Sequence, residues 1–512
     1  MVILKADWTG HCASNRRALW QGESISLRLR LQSCEETQAA SHSASSEPRI
    51  VRMRRVMSLE TRIAKHAAAV RFEDLPEEAV DAAKKEILWT LGTSVAGAGA
   101  IGSELVLTVV RDLSQGCAGD ATVIGYEKRA PALLAGFANG VYAKAVEYED
   151  KHWMGNTHAY AIGVAVVPAA FAMAEHVGGV DGKAMVNAVA VATDVQARLV
   201  NGAPNAIKTS FNSTYMFSHF GATIAAGKLL HLTEEQMINA LGIAYTQVAG
   251  TFQAHHEGSL AVRMQMGFCV RNGIFAALMA KAGMDGPHEF LSGRSGLYPA
   301  FYRECDEEAI VKDLGAMFWG TRLGFKGYPC CAAMHQALDA LFQVKQAHKI
   351  RPEQIAAVDV YGSPSMAITC APISAKRHPR NHVEQEFSLP WAAACALADE
   401  RLGLGHFRDA ALTDVTKMAL AQKVAAHMDP KDEQVYAVVT LTDERKLTSA
   451  RIGPPTGHPD NPLPLAEIIR RYDDCVTYGP RPLSPERTRR ARDIVLALPD
   501  VQDATEAIQL LA

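Results

Sequence analysis

Ala159-Tyr-Ala-Ile-Gly-Val-Ala-Val-Val-Pro-Ala-Ala-Phe-Ala-Met-Ala174 is the longest strongly apolar run in the chain. At 16 residues it is shorter than the roughly 20 a membrane-crossing helix needs, and Gly163 and Pro168 lie inside it. A helix that is apolar all round must be buried all round. The run therefore predicts a helix at the heart of a large helical core. The surrounding sequence supplies partners: Ala-rich stretches over 131–147, 182–200, 221–230, 234–249 and 267–282. High alanine with few β-branched runs favours closely packed helices.

Beyond Lys326 the texture changes. Residues 354–361 read as a strand, and 434–442 with 446–451 read as a hairpin around Asp443-Glu-Arg. Helical stretches at 389–399 and 409–426 lie between them. Helix returns at 465–472 and 485–498. The expected fold is mostly α, a large all-helical domain with an inserted smaller α+β lid domain. The boundaries fall at 57–321 for the helical domain, 322–459 for the lid, and 460–512 for C-terminal helices that complete the first. Residues 1–56 are arginine-rich and polar with no sustained period. They read as a disordered or non-native extension, with Met57 as an alternative start, and lack the compact apolar stretch of a signal peptide.

Composition narrows the function. Of 512 residues, 52 are Lys or Arg and 55 are Asp or Glu, a net charge of −3. A nucleic-acid protein would show a basic excess or stripe. Ten cysteines include no CxxC pair, which argues against a disulfide scaffold, a zinc ribbon or a ferredoxin-type cluster. A reduced, cytoplasmic setting follows. Neither His255-His256-Glu257 nor Cys330-Cys331 with His335 has the spacing of a metal site, so no metal is expected. Gly97-Ala-Gly-Ala-Ile-Gly102 matches a dinucleotide motif in letters, but a helical stretch precedes it where a strand is required. It reads as a helix–helix connection.

The chemistry concentrates in three places. Glu147-Tyr-Glu-Asp-Lys-His-Trp-Met-Gly-Asn-Thr-His158 is the densest polar segment between two apolar helices. Glu147, Asp150 and Lys151, spaced i, i+3 and i+4, would share one helix face, and His158 is a candidate acid/base. Arg263, before a long Ala-rich helix, is a candidate carboxylate holder. Lys326, in Gly324-Phe-Lys-Gly-Tyr-Pro-Cys-Cys331 at the domain junction, can anchor a carboxylate or act as an acid/base.

In order, these segments resemble the MmgE/PrpD family, which includes 2-methylcitrate dehydratase, cis-aconitate decarboxylase and iminodisuccinate epimerase. The resemblance runs from about residue 58 to 480. It rests on Asn139-Gly-Val, Glu147–Asp150, His158 before Val167-Pro168-Ala-Ala, and Gly221-Ala-Thr-Ile-Ala-Ala-Gly-Lys-Leu-Leu. Ala240-Leu-Gly-Ile-Ala, Gly283-Met-Asp-Gly-Pro, Phe325-Lys-Gly-Tyr-Pro-Cys-Cys with His335 and Asp339, and Phe387-Ser-Leu-Pro-Trp391 follow. It implies a helical domain with a lid, a homodimer, and cofactor-free chemistry on small di- or tricarboxylates in the cleft between domains. His158 and Lys326 match family active-site positions. Glu147 stands where Asp is usual and Lys151 where Thr is usual. Asn212 stands where the decarboxylase has His, Val262 at a frequent Lys position beside Arg263, and Trp391 where Tyr is usual.

The expectation is a lyase of the 2-methylcitrate dehydratase type. His158, Lys326, Glu147 and Asp150 would be catalytic, and Lys151, Asn212, Arg263 and Trp391 would bind substrate. The partner is a small carboxylate, with no nucleic acid, membrane or cofactor. An isomerase, a decarboxylase or a catalytically inactive family member are the alternatives.

Overall fold

From Gly163 to Ala174 every residue of the Gly163–Val177 helix is buried. It packs against the helices Glu77–Ala98, Ala132–Lys144, Gly182–Asn201, Ser213–Leu229 and Ala261–Lys281. This is the apolar run of the sequence, with its first residues given up to a short strand, His158–Tyr160. The computed structural model describes residues 57–154, 158–203, 210–431 and 434–512. The extension expected over 1–56 lies outside the described residues.

The helices Leu465–Cys475 and Pro485–Leu496 pack on Glu77–Ala98. They add Ile468, Tyr472, Ala491 and Val495 to the same core, so the C-terminus completes the helical part. A second core gathers Leu338, Leu341, Val358, Val360, Trp391, Val439 and their neighbours. There the helices His335–His348 and Leu389–Ala398 pack on a four-stranded sheet in the order Val424–Met428, Ile355–Gly362, Tyr436–Leu441, Lys446–Thr448. The first pair is parallel and the others are antiparallel. Val424–Met428 corrects the helix read up to residue 426. That helix stops at Gln422, and pairing with Ile355–Gly362 overrides the helical preference of Ala425 and Ala426. Contacts join both cores into one unit, so the division between them is one of cores.

Helices Glu77–Ala98 and Ser103–Leu113 meet at 92° across the Gly97–Gly102 segment, where Gly102 takes φ 86°, a left-handed value that suits glycine. Among the described residues no single helix is long and apolar enough to cross a membrane.

Candidate active site

A three-stranded sheet of fewer than a dozen residues assembles the site. Asp150–Met154 lies between His158–Tyr160 and Leu323–Phe325. Its pairing sets Asp150 opposite Phe325 and Lys151 opposite Gly324, which delivers the next residue, Lys326, to the acidic segment. The shared helix face expected for Glu147, Asp150 and Lys151 is therefore corrected. The Ala132–Lys144 helix ends before them, Glu147 adopts φ 47°, and Asp150 and Lys151 are in a strand. Side chains alternate along a strand, so neighbours Asp150 and Lys151 serve opposite sides.

On one side three lysines meet two glutamates. Lys326 Nζ donates to the Glu147 carboxylate at 2.8 Å and to the Glu147 carbonyl at 2.7 Å, and lies 3.2 Å from Glu149 Oε1. Lys144 ion-pairs with Glu147 and lies 3.3 Å from Glu149 Oε1. Lys151 Nζ donates to Glu149 Oε1 at 2.8 Å. All five residues are buried. The double grip of Lys326 on Glu147 holds a left-handed conformation that costs about 1 kcal/mol or more for a residue with a Cβ. Burial alone would raise the Glu149 carboxyl; the lysines more than offset it and leave it well below the usual range. Burial lowers Lys144 to about 8, against the pull of Glu149, and it lowers Lys151 too.

On the other side Asp150 turns into the helical core. Its carboxylate accepts the N–H of Gly163 at 2.9 Å and of Ile162 at 3.3 Å, capping the central helix. Burial lifts it to about 6. Glu86, raised far above its usual range by burial and then by Asp150, accepts from Thr193. Each of the two acids disfavours ionisation of the other.

The lysine–glutamate cluster borders a cavity of about 400 Å³ between the two cores. From the helical part come Lys144, Glu147, Glu149, Lys151, Asn212 and Tyr215. Cys331, Ala333, Ile368 and Phe387 close it from the other side. Asn212 caps the Ser213–Leu229 helix, accepting from the Thr214 N–H at 3.0 Å, and so sets the positive end of that helix dipole at the cavity. His255 also lines the wall. Burial, then Lys144, pushes it to about 3, and its Nδ1 has no hydrogen-bond partner among the described residues.

The other expected residues are placed differently. Arg263 donates to the Ile101 carbonyl at 3.0 Å and to His382 Nε2 at 2.6 Å; it joins the two parts of the chain and is absent from the cavity lining. Trp391 is fully buried in the second core and donates to the His406 carbonyl at 2.9 Å, away from the cavity. An indole that fills a core and spends its N–H on backbone has nothing left for substrate. His158 pairs through its backbone with Met154, and its side chain lies outside the described residues.

Sequence reasoning missed Lys144, Glu149, His255 and Glu386. Glu149 was visible in the acidic segment, and strand alternation would have separated it from Asp150. Glu386 is buried on the His382–Glu386 helix, and burial pushes it up to about 8 despite Arg263. Unfolded, it ionises near 4.5. Between these values the folded state holds a proton that the unfolded state has lost, so stability falls as pH rises through the window. The linkage amounts to roughly 4 kcal/mol. Urea unfolding at pH 5 and pH 8 should show Glu386→Gln gaining stability relative to the parent at the higher pH. An unchanged difference would place Glu386 in water.

Two family models cover most of this chain. The MmgE/PrpD N-terminal domain matches residues 61–308 and the MmgE/PrpD C-terminal domain matches residues 328–500. The chain belongs to the MmgE/PrpD family. Among curated MmgE/PrpD relatives, a cis-aconitate decarboxylase of Aspergillus terreus is 25% identical over 473 residues, 87% of this chain and 94% of the relative. A cis-aconitate decarboxylase-like protein, oryM, of Aspergillus oryzae is 24% identical over 474 residues, 86% of this chain and 94% of the relative. The family join between the two models falls at Leu323–Phe325 and Lys326, where the small sheet forms. Membership in MmgE/PrpD supports an enzyme of lyase type.

Proposed function

We propose that this protein is a cofactor-independent lyase that acts on a small hydroxy di- or tricarboxylate, abstracting a proton beside a carboxylate and eliminating water in the manner of 2-methylcitrate dehydratase. The observation that carries the reading is the cavity wall formed by Lys144, Glu147, Glu149 and Lys151, with the fully buried Lys326 paired to Glu147 behind it: three lysines meet two glutamates and leave one positive charge in excess. A substrate carboxylate completes that balance, and the N-terminus of Ser213–Leu229 favours a second anion. Elimination needs a base for a weakly acidic C–H, an acid for the leaving hydroxyl, and cations for the developing enolate charge. Lys151 and Lys326 supply the cations. Lys144, lowered to about 8 by burial, exchanges a proton near neutrality. His158 keeps its proposed acid/base role, and Glu147 positions Lys144 and Lys326.

Decarboxylation is the second reading. Phe211, Phe252, Ile368 and Phe387 form an apolar wall that disfavours a carboxylate relative to neutral carbon dioxide. Both Aspergillus relatives carry decarboxylase names.

Proton NMR in deuterated water with 2-methylcitrate, citrate, cis-aconitate and iminodisuccinate tests both. Loss of a C–H signal with a new alkene product supports elimination, and carbon dioxide release supports the second reading. Inversion without elimination, or no change in any of the four, sinks the lyase assignment.

A homodimer is part of the proposal. Leu105, Val109 and Leu113 repeat every fourth residue on the Ser103–Leu113 helix and are exposed, as are Phe268 and Phe275 on Ala261–Lys281. Apolar helix faces of this kind mark association surfaces. Light scattering should give twice the 55.3 kDa chain mass, and Val109→Glu should halve it.

A further inference from the structure

A second and larger cavity adjoins the one at the lysine cluster. Phe252, His255 and Ile368 line both, and the volumes are about 400 Å³ at the lysines, the inner chamber, and about 840 Å³ beyond them, the outer chamber. The inner chamber alone suffices for a small polycarboxylate, so the outer one is surplus to the reacting groups.

Its walls have two characters. Phe252, Ala367, Ile368, Ala371, Pro372 and Ala375 make an apolar side. The polar side is basic: His256, Lys376, His378 and Arg380 stand against one acid, Glu384. That acid is already taken, because Arg380 Nε donates to Glu384 Oε1 at 2.8 Å. Lys376 is half-buried, and its ammonium has no hydrogen-bond or ion-pair partner among the described residues. Burial lowers its pKa, and the nearby Glu384, already held by Arg380, offsets this only in part.

We propose that the outer chamber is a substrate subsite, which takes an aliphatic extension of the reacting polycarboxylate that ends in an anionic group near Lys376. The inference rests on the lyase reading and narrows its substrate class. The apolar wall supplies the hydrocarbon contact, and Lys376 supplies the counter-charge. A mere entrance for small anions would need neither an apolar wall nor this volume.

The test is kcat/KM, read by NMR, for hydroxy-tricarboxylates substituted with methyl, butyl or 4-carboxybutyl. Burying three further methylenes should raise kcat/KM about 10- to 50-fold from methyl to butyl. The terminal carboxylate should add about tenfold. Lys376→Met should erase the second gain and leave the first. Ala375→Trp, at an exposed position, should fill the chamber and erase both gains while the methyl compound turns over as before. Equal or falling values along the series, or a preference for butyl over carboxybutyl, would overturn the subsite. Turnover of none of the three would overturn the lyase reading itself, a separate outcome.

Discussion

Lys326→Met should lower kcat/KM about a thousandfold and destabilise the fold by about 3–5 kcal/mol. The second figure follows from breaking a buried ion pair, after which Glu147 keeps only Lys144, which it shares with Glu149. Glu147 would lose both the cation at 2.8 Å on its carboxylate and the donor at 2.7 Å on its carbonyl, and with them the clasp on its left-handed backbone. The first figure follows from charge. Without Lys326 the cluster has two lysines and two glutamates, so the excess that would receive a substrate carboxylate is gone, and removal of one buried electrostatic donor costs a hundred- to a thousandfold. A second variant separates the two effects. Lys326→Met with Glu147→Gln restores one net positive charge and removes the carboxylate that has lost one of its two lysines. It should recover much of the stability in urea unfolding and little of the turnover. Recovery of turnover together with stability would reduce Lys326 to a structural counter-ion.

Why Lys326 was legible from sequence while its partners were only half legible is a matter of contact range. The helical core could be read because burial of Gly163–Ala174 is written into twelve successive residues, and because the Ala-rich stretches repeat the message. The strand Ile355–Gly362 and the hairpin of Tyr436–Leu441 with Lys446–Thr448 likewise carry local patterns. The small sheet does not. Asp150–Met154 has charged and aromatic residues at a spacing equally consistent with a helix end, and what makes it a strand is Leu323–Phe325, more than 160 residues away. The same long-range pairing decides that Glu149 faces the lysines and Asp150 faces Glu86. Trp391 shows the converse. Its place in a sequence motif gave no sign that the indole is spent on the His406 carbonyl inside a separate core.

Arg198→Met should cost about 3–5 kcal/mol and slow turnover per folded molecule, although Arg198 is nowhere near the cavity. Its guanidinium is wholly buried and donates to Asp194 at 2.9 Å and 3.0 Å. It also donates to the carbonyls of Ile310 at 3.2 Å, Lys312 at 2.6 Å, Asp313 at 3.3 Å and Met317 at 2.5 Å. Asp194 in turn accepts the Trp319 N–H at 2.8 Å and lies 3.1 Å from His66 Nε2. One ion pair thus fastens residues 310–319 to the Gly182–Asn201 helix, and those residues run through Trp319–Arg322 into Leu323–Phe325 and Lys326. A methionine satisfies none of the four carbonyls and leaves Asp194 without its cation. Arg198→Met with Asp194→Leu should regain part of the stability, since the buried lone charge is gone. It should not regain the turnover, since the strap is still untied from the helix. Chemical denaturation and NMR turnover at one temperature read both quantities. A fully active Arg198→Met protein would show that the small sheet positions Lys326 unaided.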